Sequence, residues 1–203
     1  MLFPRPHIAA AGGTPSFTTH GTYFYGTNTG TNNGQVTFKG RLLYPAYPSG
    51  GETIFSISGL QVRQEIMPDG SVRSTLKDNA GATLLNNAQS VAGVIPAATM
   101  VDWLLSIDLA AGYMRTFIDG SLVDDRSFTS VPQTFQTNRQ FSFLCANSTA
   151  LGTPASLVIE HLKVWKDTAA PTGVEPVTTP LKTIAGNAAA ANADAWKLGG
   201  DAT

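Results

Sequence analysis

The 203-residue sequence predicts an all-β chain folded as a two-sheet antiparallel sandwich. Three observations lead there. Apolar residues recur with a period of two over most of the chain, and turn-forming residues punctuate those runs. Charged residues amount to only 13%, well under the roughly 25% usual for soluble domains. Alternation with period two sets one side of a strand on a core and the other in water. A chain of this length buries such a core without disulfides or a metal.

In chain order, residues 1–16 read as an extended N-terminal arm, because Pro4, Pro6 and Pro15 oppose regular structure. The sandwich is expected over 17–167. In 35–44 the apolar set is Val36, Phe38, Leu42 and Tyr44, against Thr37, Lys39 and Arg41. In 60–66 it is Leu60, Val62 and Ile66, against Gln61, Arg63 and Glu65. Val101, Trp103, Leu105, Ile107 and Leu109 alternate with Asp102, Ser106 and Asp108, with Leu104 as the one exception, and Phe141, Phe143 and Cys145 form a shorter run. Trp103, Leu105, Ile107, Phe141 and Phe143 are therefore expected to point inward. Pro68-Asp69-Gly70, Ala110-Ala111-Gly112 and Asp119-Gly120 each separate two such runs, as hairpin turns with positive φ require. The stretch 157–165 is apolar on both faces, as in a strand deep in a sandwich. Residues 168–180, with three prolines and four threonines, read as an extended linker. Residues 181–203 form an Ala- and Gly-rich tail whose few large anchors include Ile184, Trp196 and Leu198.

Composition excludes some functions. The net charge of −1, with no basic block, argues against nucleic acid. No apolar stretch approaches the ~18 residues of a membrane span, and the opening segment, interrupted by Pro4 and Pro6, does not read as a signal peptide. Cys145 is the single cysteine, so no intrachain disulfide forms, and a reducing compartment is expected.

The order of these pieces resembles the laminin-G-like branch of the concanavalin-A-like lectin and glucanase superfamily. The matching pieces are Gly21-Thr-Tyr-Phe-Tyr-Gly26, the 36–44 strand, Thr53-Ile-Phe-Ser-Ile-Ser-Gly59 and the hairpin through Asp69-Gly70. The strongest is Trp103-Leu-Leu-Ser-Ile-Asp-Leu-Ala-Ala-Gly112, leading into Arg115-Thr-Phe-Ile-Asp-Gly120, and the last is the 158–165 strand ending in Trp165. The resemblance covers about residues 21–167. It implies a jelly-roll sandwich of two curved sheets, with loops and a concave face open to ligands. Its motifs encode hairpins and core, so it speaks to fold more than to function.

Candidate sites are few. Glucanases of this superfamily place two carboxylates on one strand, about 5–5.5 Å apart. Here the four glutamates, Glu52, Glu65, Glu160 and Glu175, share no strand, and the acid nearest to Glu65 at such spacing, Asp69, falls in a turn. No catalytic residue is assigned and no enzyme is expected. Asp124-Asp125 is the one adjacent acidic pair, expected as a solvated loop, since Ca²⁺ takes six or more oxygens. No cofactor is expected, Ca²⁺ being the alternative. His7, His20 and His161 lack metal-ligand spacing, and Cys145 reads as a small core residue. Among Tyr23, Tyr25, Tyr44, Tyr47 and Trp165, strand aromatics belong to the core. Tyr47, set in a loop between Pro45 and Pro48, is the candidate for stacking on a sugar.

The expected function is that of a non-enzymatic structural or adhesion protein of a virus particle, a capsid-decorating protein, fibre or spike of a bacterial virus. It would be made in the host cytoplasm without a signal peptide. The fold serves mostly outside cells, and lysis reconciles that with the absence of a leader and of disulfides. The tail would dock through Ile184, Trp196 and Leu198 to other virion proteins or to copies of the chain in a homo-oligomer, with host glycans as further ligands. The alternative is a bacterial carbohydrate-binding module or lectin.

Overall fold

The computed structural model describes residues 24–26, 33–57, 62–78, 80–131, 141–143, 158–180, 182–185 and 197–198, and its description of 24–26, 56–57, 141–143, 158–160, 182–185 and 197–198 is of backbone alone. The N-terminal arm, Tyr23, Cys145 and Trp196 lie outside these residues. The strands are β1 (Phe24–Gly26), β2 (Gln35–Leu43), β3 (Glu52–Ile57), β4 (Val62–Ile66), β5 (Val72–Lys77), β6 (Thr83–Gln89), β7 (Met100–Asp108), β8 (Tyr113–Ile118), β9 (Ser121–Ser127), β10 (Phe141–Phe143), β11 (Val158–Lys166), β12 (Lys182–Ala185) and β13 (Lys197–Leu198). No helix occurs among the described residues. A seven-stranded sheet runs β13-β1-β10-β3-β4-β5-β6 and a six-stranded sheet runs β12-β11-β2-β7-β8-β9, with every pairing antiparallel. The expected two-sheet sandwich is what the chain forms.

The local rules explain the hairpins. Asp119 and Gly120 both have positive φ, 49° and 78°, which is the type I′ geometry that matches strand twist and joins β8 to β9. The turns at 67–71 and 109–112 close β4–β5 and β7–β8 with one positive-φ glycine each, Gly70 at 75° and Gly112 at 74°. Side chains then alternate as read. Val36, Phe38, Leu42 and Tyr44 of β2, and Val101, Trp103, Leu105 and Ile107 of β7, are buried between the sheets. They meet Phe55, Val62, Ile66, Val72 and Leu76 of the opposite sheet, and the rings of Phe38 and Phe55 stand 3.9 Å apart. Phe141 and Phe143 fall where only backbone is described.

One feature of this core has no apolar explanation. Gln64 points inward from β4 with no exposure, and its amide bridges the layers. The indole Nε1 of Trp103 donates to Gln64 Oε1 at 2.6 Å, and Gln64 Nε2 donates to Thr116 Oγ1 on β8 at 2.7 Å and to Ser74 Oγ on β5 at 3.3 Å. Trp103 brings a large apolar surface to the core together with an N–H that must find an acceptor.

Part of the outer face of the six-stranded sheet is buried as well. Residues 168–180, expected as a linker, are extended but lie packed along that face. Thr37 Oγ1 donates to Thr168 O, Ala170 N donates to Ser106 Oγ, and Trp165 Nε1 donates to Thr178 O. Ala170 packs with Leu104 and Phe117 in a second small core, which accounts for Leu104 breaking the alternation. Gly173, at φ 78°, lies so close to Phe117 that any Cβ there would strike the ring. Glu175 accepts from Lys39 Nζ at 2.8 Å and from Lys163 Nζ at 2.5 Å. Partial burial raises the Glu175 carboxyl, but the two lysines outweigh it and hold the group below its usual range. This strap explains why the outer face of β11 carries an apolar side chain at Trp165. Leu162 and Val164 enter the main core, and Trp165 lies under the strap.

Asp124-Asp125, expected as a loop, lies within β9 because the reversal is complete at Gly120. Neighbours on a strand face opposite ways. Asp124 is buried and paired with Arg126 at 2.6 Å, whereas Asp125 pairs with Arg115 on the exposed side at 3.0 Å. The tail strands β12 and β13 extend the chain's own sheets, β12 beside β11 and β13 beside β1.

The Gln64 bridge predicts strong coupling. Replacing Gln64 with Leu strands the Trp103 N–H and the Thr116 hydroxyl, and leaving a buried donor unpaired costs about 1–3 kcal/mol. Urea denaturation of Gln64→Leu, Trp103→Phe and the double variant is expected to show a double-variant loss at least ~1 kcal/mol smaller than the sum of the singles. Additive losses would mean that the bridge contributes nothing of its own.

Candidate functional site

With the strap over one sheet, the outer face of the seven-stranded sheet is the other broad surface. Gln64 pointing inward obliges Arg63 and Glu65 to point outward. Cross-strand register then builds polar rows: Thr53, Glu65, Arg73 and Gln89 lie side by side across β3, β4, β5 and β6. Ser56, Arg63 and Thr75 form the next row, and the Thr75 hydroxyl donates to Asn87 Oδ1 at 3.2 Å. Directly opposed side chains on one face sit about 4.5–5.5 Å apart at Cβ, close enough to act on one ligand.

Glu65 is the hinge of this grid. Its Oε2 accepts from Arg73 Nε at 2.9 Å and stands 2.8 Å from Arg73 Nη2. Arg63 Nε lies 3.4 Å from the same oxygen, within ion-pair range but without hydrogen-bond geometry. The Glu65 side chain is 7% exposed, whereas Arg63 and Arg73 keep 23% and 27%. Of the four buried polar side-chain atoms without a hydrogen-bond partner among the described residues, two belong to this face: Arg63 Nε and Thr53 Oγ1. Each such group costs about 1–3 kcal/mol in the unliganded fold.

The grid runs into a cluster of loops at one end of the sandwich. The β4–β5 turn, the loop from β2 to β3 and the loop from β6 to β7 are stitched together there. Gly93 N donates to Asp69 O, Ile95 N to Gly70 O and Ala98 N to Tyr44 O. Tyr47 lies across Gly70: a Cβ on that glycine would fall 2.6 Å from the Tyr47 hydroxyl and 2.8 Å from its ring edge. Gly70 therefore serves both the turn, at φ 75°, and the seating of the ring. So held, Tyr47 stays 36% exposed. A relay of donors runs from the grid to the turn on which the ring sits, with Gln89 Nε2 donating to Ser71 Oγ at 2.7 Å and Ser71 Oγ to Asp69 Oδ1 at 2.6 Å. The Ser71 hydroxyl and its backbone N–H hold the Asp69 carboxyl below its ordinary value of 3.8.

The other sequence candidates separate clearly. Tyr44 and Trp165 are core residues, and burial, reinforced by the charge of Glu52, pushes the Tyr44 phenol well above its usual value. Tyr25, Ile184 and Leu198 are placed by backbone only. Ile184 sits opposite Leu162 and Leu198 opposite Phe24. Tyr23 and Trp196 lie outside the described residues. Arg63, Glu65, Arg73, Gln89 and Ser71 were not singled out by sequence. The signal was present, since a turn at 68–70 brings Glu65 opposite Arg73, but polar residues on the outer side of a strand carry no mark of their own. No group of three or more potential metal ligands occurs among the described residues.

No family model and no curated protein matches the chain. Solved structures do. A heptameric SAP-like pentraxin from Limulus polyphemus aligns with TM-score 0.57 and 14% identity over 89% of each chain. A sialidase from Trypanosoma rangeli aligns at 0.53 and 10% identity, over 76% of this chain and 26% of that one. Botulinum neurotoxin type C, whose cell entry depends on interaction with two ganglioside molecules, aligns at 0.50 and 13% identity, over 70% and 34%. The chain spans only about a quarter of the sialidase. The likeness is one of fold, the two-sheet concanavalin-A-like sandwich that the resemblance implied.

Replacing Ser71 with Ala removes the hydroxyl donor, so the Asp69 carboxyl should titrate closer to 3.8, as followed by NMR. The sign follows from the depressed native value. The stabilisation is present above the unfolded-state value and is lost as pH falls through the native one, so wild type should lose this increment in acid and Ser71→Ala should have less of it to lose.

Proposed function

We propose that the chain is a non-catalytic carbohydrate-binding module, lectin-like in action, that recognises glycans at the loop end of the seven-stranded sheet. The observation that carries this is Tyr47, a ring seated on Gly70 with part of its surface in water and continuous with a grid of fixed donors and acceptors. A sugar presents an apolar C–H face and an edge of hydroxyls. The first suits an aromatic surface, and the second suits Asp69, Gln89 and the arginine grid. Tyr buys contact area at low entropic cost, since its ring is already pinned. The fold shared with a neurotoxin that depends on ganglioside interaction is compatible with this role.

Catalysis is not part of the proposal. Hydrolysis by a retaining mechanism calls for a free acid and a nucleophile about 5–5.5 Å apart. Glu65 is committed to Arg73 and Asp69 to Ser71. A glycan array with wild type, Tyr47→Phe and Tyr47→Ala tests the proposal. Binding kept by Phe and weakened tenfold or more by Ala is expected, tenfold being about 1.4 kcal/mol. Binding indifferent to Tyr47→Ala would refute it.

Within that role, service as an adhesion or decorating protein of a virus particle is supported by sequence, namely a fold used mostly outside cells with Cys145 as its lone cysteine. The tail is the element that distinguishes the roles. A purely intermolecular anchor leaves the melting temperature unchanged on deletion of residues 181–203 and abolishes assembly. Because β12 and β13 pair within the chain, deletion is expected to lower the melting temperature, by on the order of 5 °C at ~2–4 °C per kcal/mol for a chain of this size. Calorimetry together with sedimentation of the truncated chain reads both.

A further inference from the structure

We propose that the Arg63–Glu65–Arg73 patch takes the anionic group, carboxylate or sulfate, of an acidic sugar whose neighbouring ring lies on Tyr47. This deepens the glycan-binding function proposed above and rests on it. Charge is the first ground. The outward-facing ionisable groups of β4 and β5 are Arg63, Arg73, Lys77 and Glu65, three cations against one carboxylate. No ionisable residue occurs in β6, and the outward position of β3 opposite Glu65 is Thr53. The outer positions of β4 and β5 are net positive in a chain whose overall charge is −1.

Hydrogen-bond demand is the second ground. Arg73 spends Nε and Nη2 on Glu65, so that pair is largely satisfied. Arg63 Nε is buried and has no hydrogen-bond partner among the described residues. A guanidinium presents several donors in a planar fork that matches a carboxylate or sulfate, and it is not satisfied by a single ion contact at 3.4 Å. Glu65 positions the patch: it fixes both guanidiniums on one side and leaves the outer side of Arg63 for an incoming acceptor.

The third ground is placement. Arg73 on β5 comes three residues after Gly70 of the β4–β5 turn, so it stands within about 10 Å of the Tyr47 seat, taking ~3.3 Å per residue as the upper limit, close enough for one short glycan to reach both. Gly51, in the loop that follows Tyr47, brings that loop against the arginine end: a Cβ there would stand 3.0 Å from Arg73 Nη2 and 3.5 Å from Glu65 Oε1. The Asp69 carboxylate at the Tyr47 end repels an anion, so the acidic group is directed to the arginine end.

Calorimetric titration tests this with three probes: a uronic-acid tetrasaccharide, its carboxyl-reduced neutral counterpart and a sulfated tetrasaccharide. Wild type is expected to bind at least one acidic probe tenfold or more tighter than the neutral one, and that preference should shrink as salt is raised. Which acidic probe binds more tightly identifies the group. Arg63→Gln should abolish the preference by weakening acidic-probe binding at least tenfold more than neutral binding, whereas Tyr47→Ala should weaken all three alike. If Arg63→Gln fails to fold, Arg63→Lys, which keeps the charge but not the planar fork, should lower the preference several-fold. Equal binding of acidic and neutral probes by wild type, or a preference that survives the Arg63 change, overturns the inference and leaves Tyr47-dependent glycan binding standing. No binding of any probe by wild type overturns both.

Discussion

The structure turns on the pairing of the Trp103 indole with Gln64. A sandwich core excludes water, so an N–H carried into it must be met from within the protein or the fold loses its stabilisation there. Gln64 meets it and passes its own amide hydrogens to Thr116 and Ser74, so that three strands besides its own are bound through one side chain. Apolar packing alone is permissive of small sliding between sheets. A hydrogen-bonded network of this kind is not, because each member demands its partner at a set distance.

The same residue decides what the protein shows to the outside. Strand alternation is strict over β4, so an inward Gln64 sends Arg63 and Glu65 to the outer face, and the β4–β5 register sets Arg73 against Glu65. The polar grid is thus a geometric consequence of the core. The opposite sheet would present a comparable outer surface, but the strap at 168–180 covers part of it with Ala170, the Glu175 bridge and the Trp165 contact. The strap leaves Arg41 and Arg115 partly exposed there, while the other sheet keeps Arg63 and Arg73 partly in water.

The sheet margins are handled by distinct means. β12 and β13 extend one margin of each sheet by backbone pairing. At the other margin Arg126 of β9 reaches across to the carbonyl of Gln89 at the end of β6, at 2.6 Å, while its charge is met by Asp124. Burial raises the Asp124 carboxyl, and the ion pair with Arg126 works against that shift. Long open strand edges invite pairing with other chains, and both devices reduce that exposure.

Much of this was legible in the amino-acid order. The alternation around Trp103 named the residues that point inward, and Asp119-Gly120 named a turn whose φ values are both positive. Tyr47 was legible as a non-core aromatic because it stands in a loop rather than in a strand run. The role of Gln64 was not, because one amide among apolar neighbours looks like any surface glutamine until its partners on other strands are known. The packing of 168–180 was not legible either, since proline and threonine describe an extended backbone equally well in water and against a sheet. By itself the sequence determined the strands around Trp103 and their inward set and the tight turns, which follow from local period and local φ, whereas β6, β12 and β13 carried no such period. The tertiary structure alone decided the strand order, the face hidden by the strap, and the meeting of Tyr47 with Gly70 and of Arg63 with Glu65 and Arg73. Those depend on contacts between segments brought together only by folding.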